Sequence, residues 1–174
     1  MLINLSDVFT TENKSISKEV MWEQETVEVS GITYPVLEKS PMKLVMKNTG
    51  KGQALISVNG TVEVGLSCDR CLKDVTYSFE LDFEHEVLSP ENDSVKDEDS
   101  EESFMEGYQL KVDELISSEI MINWPMKILC REDCKGICRI CGKDLNTGTC
   151  GCDTFVPSPG LAGIKEIFNA NKEV

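Results

Sequence analysis

Eight cysteines carry the chemistry this chain can do: Cys68, Cys71, Cys130, Cys134, Cys138, Cys141, Cys150 and Cys152. Their spacing reads C-x2-C, a long gap, then C-x3-C-x3-C-x2-C-x8-C-x-C. Two C-x2-C pairs have the gap of a zinc knuckle, in which a tight turn aims both sulfurs at one ion. Gly142 after Cys141 relieves crowding as the chain reverses. Four thiolates suit Zn²⁺ in a closed, tetrahedral structural site. One or two zinc ions are therefore expected, as structural elements.

The most local set is Cys138, Cys141, Cys150 and Cys152, which leaves Cys68 and Cys71 to join Cys130 and Cys134. A rival division places Cys68 and Cys71 with Cys138 and Cys141 as facing knuckles, and spacing alone does not choose between them. Disulfides fit the even count but not a reducing compartment. A redox pair would sit in a βαβ setting that neither C-x2-C has.

Catalysis finds little support in the sequence. Hydrolytic zinc sites keep an open position and commonly use histidine or carboxylate ligands, and His85 is the one histidine. It falls on the apolar register of a strand and reads as a partly buried sheet residue. His85-Glu86-Val87 does not match the nucleobase deaminase signature. The chain contains no Walker loop, G-x-G-x-x-G or G-x-S-x-G. A non-enzymatic protein is expected.

The elements that must hold these cysteines are mainly strands. Thr26–Val29 and Ile32–Tyr34 flank Gly31, and Lys43–Asn48 precedes a turn at Thr49–Gly52. Ala54, Ile56 and Val58 alternate up to Asn59-Gly60, and Val62, Val64 and Leu66 resume the pattern. That dipeptide predicts a hairpin turn. Val75, Tyr77, Phe79, Leu81, Phe83 and Val87 follow at period two, the signature of an antiparallel strand with one wet face. Asp113 is placed to cap a helix carrying Leu115, Ile116 and Ile120, limited by Pro125. Ser158-Pro159 opens a last helix striped by Leu161, Ile164, Ile167 and Phe168.

The fold class expected is α+β: a mainly antiparallel twisted β-sheet with one or two packing helices and a Cys-rich zinc-binding segment. Residues 1–126 form the β-rich core, 127–155 the zinc segment and 156–174 the C-terminal helix. Within the core, 89–106 reads as an acidic flexible loop, with seven acids and one lysine in Glu91–Glu102 and too few apolar groups to offset ordering. The zinc segment has few apolar side chains of its own, chiefly Ile128, Leu129, Ile137, Ile140, Leu145 and Phe155, so it needs metal to hold it.

The 174 residues carry a formal charge of -14, or about -18 with eight thiolates holding two Zn²⁺. That balance disfavours an extended RNA footprint, which relies on a basic face, and favours a basic protein partner. No run approaches the roughly 20 apolar residues of a membrane span. Met1–Asp7 lacks the basic and apolar regions of a signal peptide, so a cytoplasmic location is expected.

Three segments together resemble the YceD family, bacterial and plastid proteins linked to accumulation of large-subunit ribosomal RNA. They are Ser67-Cys-Asp-Arg-Cys-Leu72, Asn123-Trp-Pro125, and Leu129-Cys-Arg-Glu-Asp-Cys-Lys-Gly-Ile-Cys-Arg-Ile-Cys-Gly-Lys-Asp-Leu-Asn146 with the following Cys150-Gly-Cys152. The third marks the cysteine-rich branch. The final helix of such proteins often opens Asp-Pro-Arg, where this chain has Ser158-Pro159-Gly160.

The resemblance implies a role in synthesis, processing or stability of 23S ribosomal RNA or in large-subunit assembly, with no known catalytic activity. Relatives are often encoded beside a small, basic ribosomal protein, which points to that protein or a pre-50S particle as partner. Direct RNA contact is an alternative, through Lys127, Arg131, Lys135, Arg139 and Lys143. A redox-switched zinc chaperone is another, since such proteins also pair Cys-x-Cys with Cys-x2-Cys.

Overall fold

The computed structural model describes residues 1–91 and 104–152. Two compact units emerge. The first comprises Met1–Ser67 and Asp74–Ile128, the second Cys68–Lys73 and Leu129–Val174. The six residues of the first knuckle belong with the cysteine-rich unit rather than with the core that precedes and follows them.

The described residues of the first unit are mostly antiparallel sheet with two short helices, in the order β1 (Leu2–Asn4), α1 (Ser6–Thr10), β2 (Ser15–Val20), β3 (Thr26–Val29), β4 (Ile32–Lys39), β5 (Met42–Gly50), β6 (Gln53–Ser67), β7 (Asp74–Leu88), β8 (Met105–Glu106), β9 (Gln109–Lys111) and α2 (Val112–Ile122). The main sheet runs β2-β5-β6-β4-β3, with β7 on the other side of β6, and β1-β9-β8 form a small second sheet. The β3–β4 hairpin turns at Ser30 and Gly31, with φ of 53° and 78°. Positive φ at both positions is what a type I′ turn demands.

Strand β6 organises the unit. Its even positions Ala54, Ile56, Val58, Val62, Val64 and Leu66 are all buried, while β5 pairs with its first half and β4 with Val62–Val64. The hairpin expected at Asn59-Gly60 does not exist. Both residues sit in mid-strand, opposite Asp82 and Leu81 of β7. The inward parity of the valines runs unbroken through position 60, which a two-residue turn would interrupt. Glycine is needed there for space: a Cβ at Gly60 would lie 2.8 Å from Met42 Cγ.

Helix α2 buries Val112, Leu115, Ile116 and Ile120. Asp113 does not cap it. The cap position is Lys111 without a side-chain bond, and the Asp113 carboxylate instead takes the amino group of Met1. Beyond the helix, Trp124 lies against Phe79 and Tyr34 at ring-centroid distances of 5.6 and 4.9 Å, so the Asn-Trp-Pro motif works as a packing element. Buried Asn48 on β5 fastens α1: its Nδ2 donates to the carbonyls of Val8 (2.7 Å) and Phe9 (3.2 Å), and its Oδ1 accepts from Gly50 N.

Residues 92–103, most of the expected acidic loop, lie outside the described residues, as does 153–174 with the expected last helix. At the two ends of the expected 89–106 segment, Ser89 and Phe104 are buried and Met105–Glu106 pairs with β9. No helix among the described residues is long and apolar enough to cross a membrane.

Candidate metal centres

Both knuckles are built by one backbone device. In the first, the chain leaves β6 at Ser67 and enters β7 at Asp74. Cys68 N donates to Lys73 O (2.8 Å) and Leu72 N to Cys68 O (2.9 Å). In the second, Cys138 N donates to Lys143 O (2.8 Å) and Gly142 N to Cys138 O (2.9 Å). The residue after the second cysteine must turn left-handed, with φ of 71° at Gly142 and 61° at Leu72. The first knuckle thus forces a branched side chain into a conformation the second gives to glycine.

The sulfurs gather into two groups, Cys68/Cys71/Cys130/Cys134 and Cys138/Cys141/Cys150/Cys152, each with its ligand atoms within 4.8 Å of one another. This is the more local of the two divisions the spacing allowed, and the facing-knuckle pairing of Cys68 and Cys71 with Cys138 and Cys141 does not occur. All eight cysteines are free. Sγ separations of 3.8 Å for Cys68–Cys134 and 3.5 Å for Cys71–Cys130 are far beyond a disulfide bond. They match a tetrahedron of sulfurs around one ion: a metal–sulfur bond of about 2.3 Å sets neighbouring sulfurs about 3.8 Å apart. Either group could hold a metal ion.

The thiols are tuned against one another. Burial opposes ionisation of Cys68, but backbone N–H groups of Cys130, Arg70 and Cys71 outweigh it and bring the thiol down to about 6. Cys138 also falls to about 6, through N–H groups of Cys141 and Ile140 and the Cys150 side chain. Conversely, Cys130 is pushed up to about 12 by the Cys71 side chain and by burial, and Cys152 to about 12 by Cys141 and Cys150. Each group therefore sets a lowered thiol beside a raised one, and a dication at the centre would relieve the repulsion between their charges.

The loop between Cys141 and Cys150 serves the other group. Asn146 Nδ2 donates to Cys134 Sγ at 3.5 Å, helping to hold the Cys134 thiol below its ordinary value although burial pushes the other way. Asn146 Oδ1 accepts from Lys135 N (2.8 Å) and Arg131 Nη2 (2.9 Å). Asp144 Oδ1 holds the Asn146 amide in place (2.7 Å), and Asp144 Oδ2 pairs with Lys73 at 2.7 Å.

Arg70, between Cys68 and Cys71, donates Nη1 to Cys134 O (2.6 Å), and its carbonyl accepts from Ile137 N (3.0 Å). Gly136 is obligatory beside it: φ is +79°, and a Cβ would stand 2.7 Å from Arg70 O. Spacing gave no hint of Asp144 and Asn146. Their signals are their place in the segment Leu129–Asn146 and an Asx pair in a short loop between cysteines, where side chains bond backbone readily.

Of the five cations considered for RNA, Lys135 and Arg139 line one cleft of about 400 Å³ with Arg70, Asp69 and Leu72. Arg131 pairs with Asp133 (3.1 Å), Lys143 donates to Thr149 O (2.9 Å), and Lys127 belongs to the first unit. His85 joins neither sulfur group. It is half-buried on β7, edge-on to Phe104 at 5.0 Å.

The family described as large ribosomal RNA subunit accumulation protein YceD matches residues 56–168, a span that includes all eight cysteines. No curated protein and no solved structure matches the chain.

Proposed function

The chain belongs to the YceD family, and from that premise we propose that it acts, without catalysis, in synthesis, processing or stability of 23S ribosomal RNA during large-subunit assembly. The match over residues 56–168 carries this reading. In it, both sulfur groups hold Zn²⁺ as structural ions. Four sulfurs within 4.8 Å of one another in each group, enough to fill a tetrahedral shell, support that role. The net charge of -14 supports a basic ribosomal protein, or the pre-50S particle carrying it, as the partner. Depleting the protein in growing cells should lower mature 23S relative to 16S ribosomal RNA. Unchanged 23S under full depletion would remove the proposal.

A second reading, direct RNA contact, draws support from Arg70, Lys135 and Arg139 meeting at one cleft. It expects RNA affinity to fall with salt and to weaken in a Lys135→Glu, Arg139→Glu double variant.

A further inference from the structure

Strand β7 pairs with β6 over fifteen consecutive residues, from Ser67↔Asp74 to Gln53↔Leu88, without a bulge. Among the described residues no strand pairs its other edge. Long, regular edges present a row of N–H and C=O groups, and proteins ordinarily blunt them by shortness, proline, bulges or lysine. β7, whose sequence is DVTYSFELDFEHEVL, is long and carries no proline, bulge or lysine, and the formal charges on it are all acidic.

The two faces of β7 are unequal in a way that specifies a complement. On the outer face Glu80, Asp82, Glu84 and Glu86 are all exposed, four carboxylates over about 20 Å of strand. Their neighbours on β6 are Thr61, Asn59, Ser57 and Leu55. None of these is a cation, and no ion pair reaches the four acids among the described residues. On the inner face Phe79, Leu81 and Val87 are buried, while Val75, Tyr77, Phe83 and His85 are half-buried and leave part of their surface open.

We propose that the outer edge of β7 takes an extended, basic segment of a partner protein as an added strand, in which Lys or Arg alternates with apolar residues. The backbone ladder supplies affinity and the alternation supplies register. Basic side chains meet Glu80, Asp82, Glu84 and Glu86, while the apolar ones cover Tyr77, Phe83 and His85. RNA does not fit, because four carboxylates repel its phosphates. The inference rests on the basic-partner reading above and gives it an address.

The test uses the full chain and a twelve-residue peptide alternating Lys and Val. Its control carries the same residues as one Lys block and one Val block, so total charge is equal. The alternating peptide should bind at least tenfold more tightly, and at saturation every second β7 amide should exchange with solvent at least tenfold more slowly. Reversing the charges (Glu80→Lys, Asp82→Lys, Glu84→Lys, Glu86→Lys) should abolish this binding and create binding to an alternating Glu–Val peptide. A neutral Glu80→Gln, Asp82→Asn, Glu84→Gln, Glu86→Gln variant covers the case in which reversal prevents folding, and should weaken binding at least tenfold.

Equal affinity for the two lysine peptides would overturn the proposal, as would unchanged β7 amides at saturation. If the β7 amides are already protected in the free protein, the edge belongs to another segment of this chain and the proposal falls too. Cells supply the separation from the wider reading. If the wild-type and neutralised chains restore 23S equally, the docking edge falls and the ribosomal role stands. If the edge binds but depletion leaves 23S intact, the reverse holds.

Discussion

Replacing Gly136 with alanine should cripple the group Cys68/Cys71/Cys130/Cys134 without touching any sulfur. A φ of +79° costs an alanine about 1–2 kcal/mol. The added methyl would stand 2.7 Å from Arg70 O, a backbone atom that cannot swing aside, so one of the two strands of chain must move. Moving it breaks the Ile137 N to Arg70 O bond of 3.0 Å, worth about 1 kcal/mol. The total is about 3 kcal/mol. Because folding of such a segment and metal binding share one free energy, metal affinity should fall roughly a hundredfold.

Gly142→Ala is the control. Its φ of +71° is similar, but nothing lies within 4 Å of the new methyl, so only the strain of about 1–2 kcal/mol and a loss of roughly five- to thirtyfold are expected. Competition with a coloured chelator measures the affinities. Cadmium-113 resonances, one per sulfur group, show which site is lost. Equal losses in the two variants, or loss of the Cys138 group's resonance in Gly136→Ala, would refute the reasoning.

Leu72→Gly should act in the opposite direction. The residue is 66% exposed with φ of 61°, so relief of strain exceeds the entropy cost of glycine by about 0.5 kcal/mol, read as a roughly twofold gain in metal retention. Stripping metal with a strong chelator should abolish amide protection across residues 129–152 while β6 and β7 keep theirs; protection persisting in both would dissociate order from metal. On acidification, metal should leave as protons compete for the thiolates, well before Asp144 titrates. Lys73 holds that carboxyl down at about 2, so its stabilising pair is fully present above its ordinary value and is lost only as pH falls through about 2. Asn48→Ala should cost the first unit about 2–3 kcal/mol in urea unfolding, since it strands the buried carbonyls that Asn48 satisfies.

Patterns that repeat were legible in the sequence, and contacts between distant residues were not. The period-two run from Val75 to Val87 gave β7 nearly to the residue, because one face is wet and the other dry. Cysteine spacing narrowed the ligand division to two, and the structure forms the more local one. Asn59-Gly60 misled because turn propensity is local, whereas the reason for that glycine is Met42 on a neighbouring strand. Asp113 misled similarly: its carboxylate is drawn to a positive amino group 112 residues away. Asn146 escaped notice because its value lies in reaching Cys134, a cysteine of the other group.

The two sulfur groups differ in how much chain each must gather. Cys150 lies nine positions beyond Cys141, whereas Cys130 lies fifty-nine beyond Cys71. In an unstructured chain the wider ring costs about 1.5 kcal/mol more to close, a handicap of roughly tenfold. A chain that took up metal before folding would therefore fill the small ring first, and in doing so would present Asn146 and Asp144 ready-made to the large one.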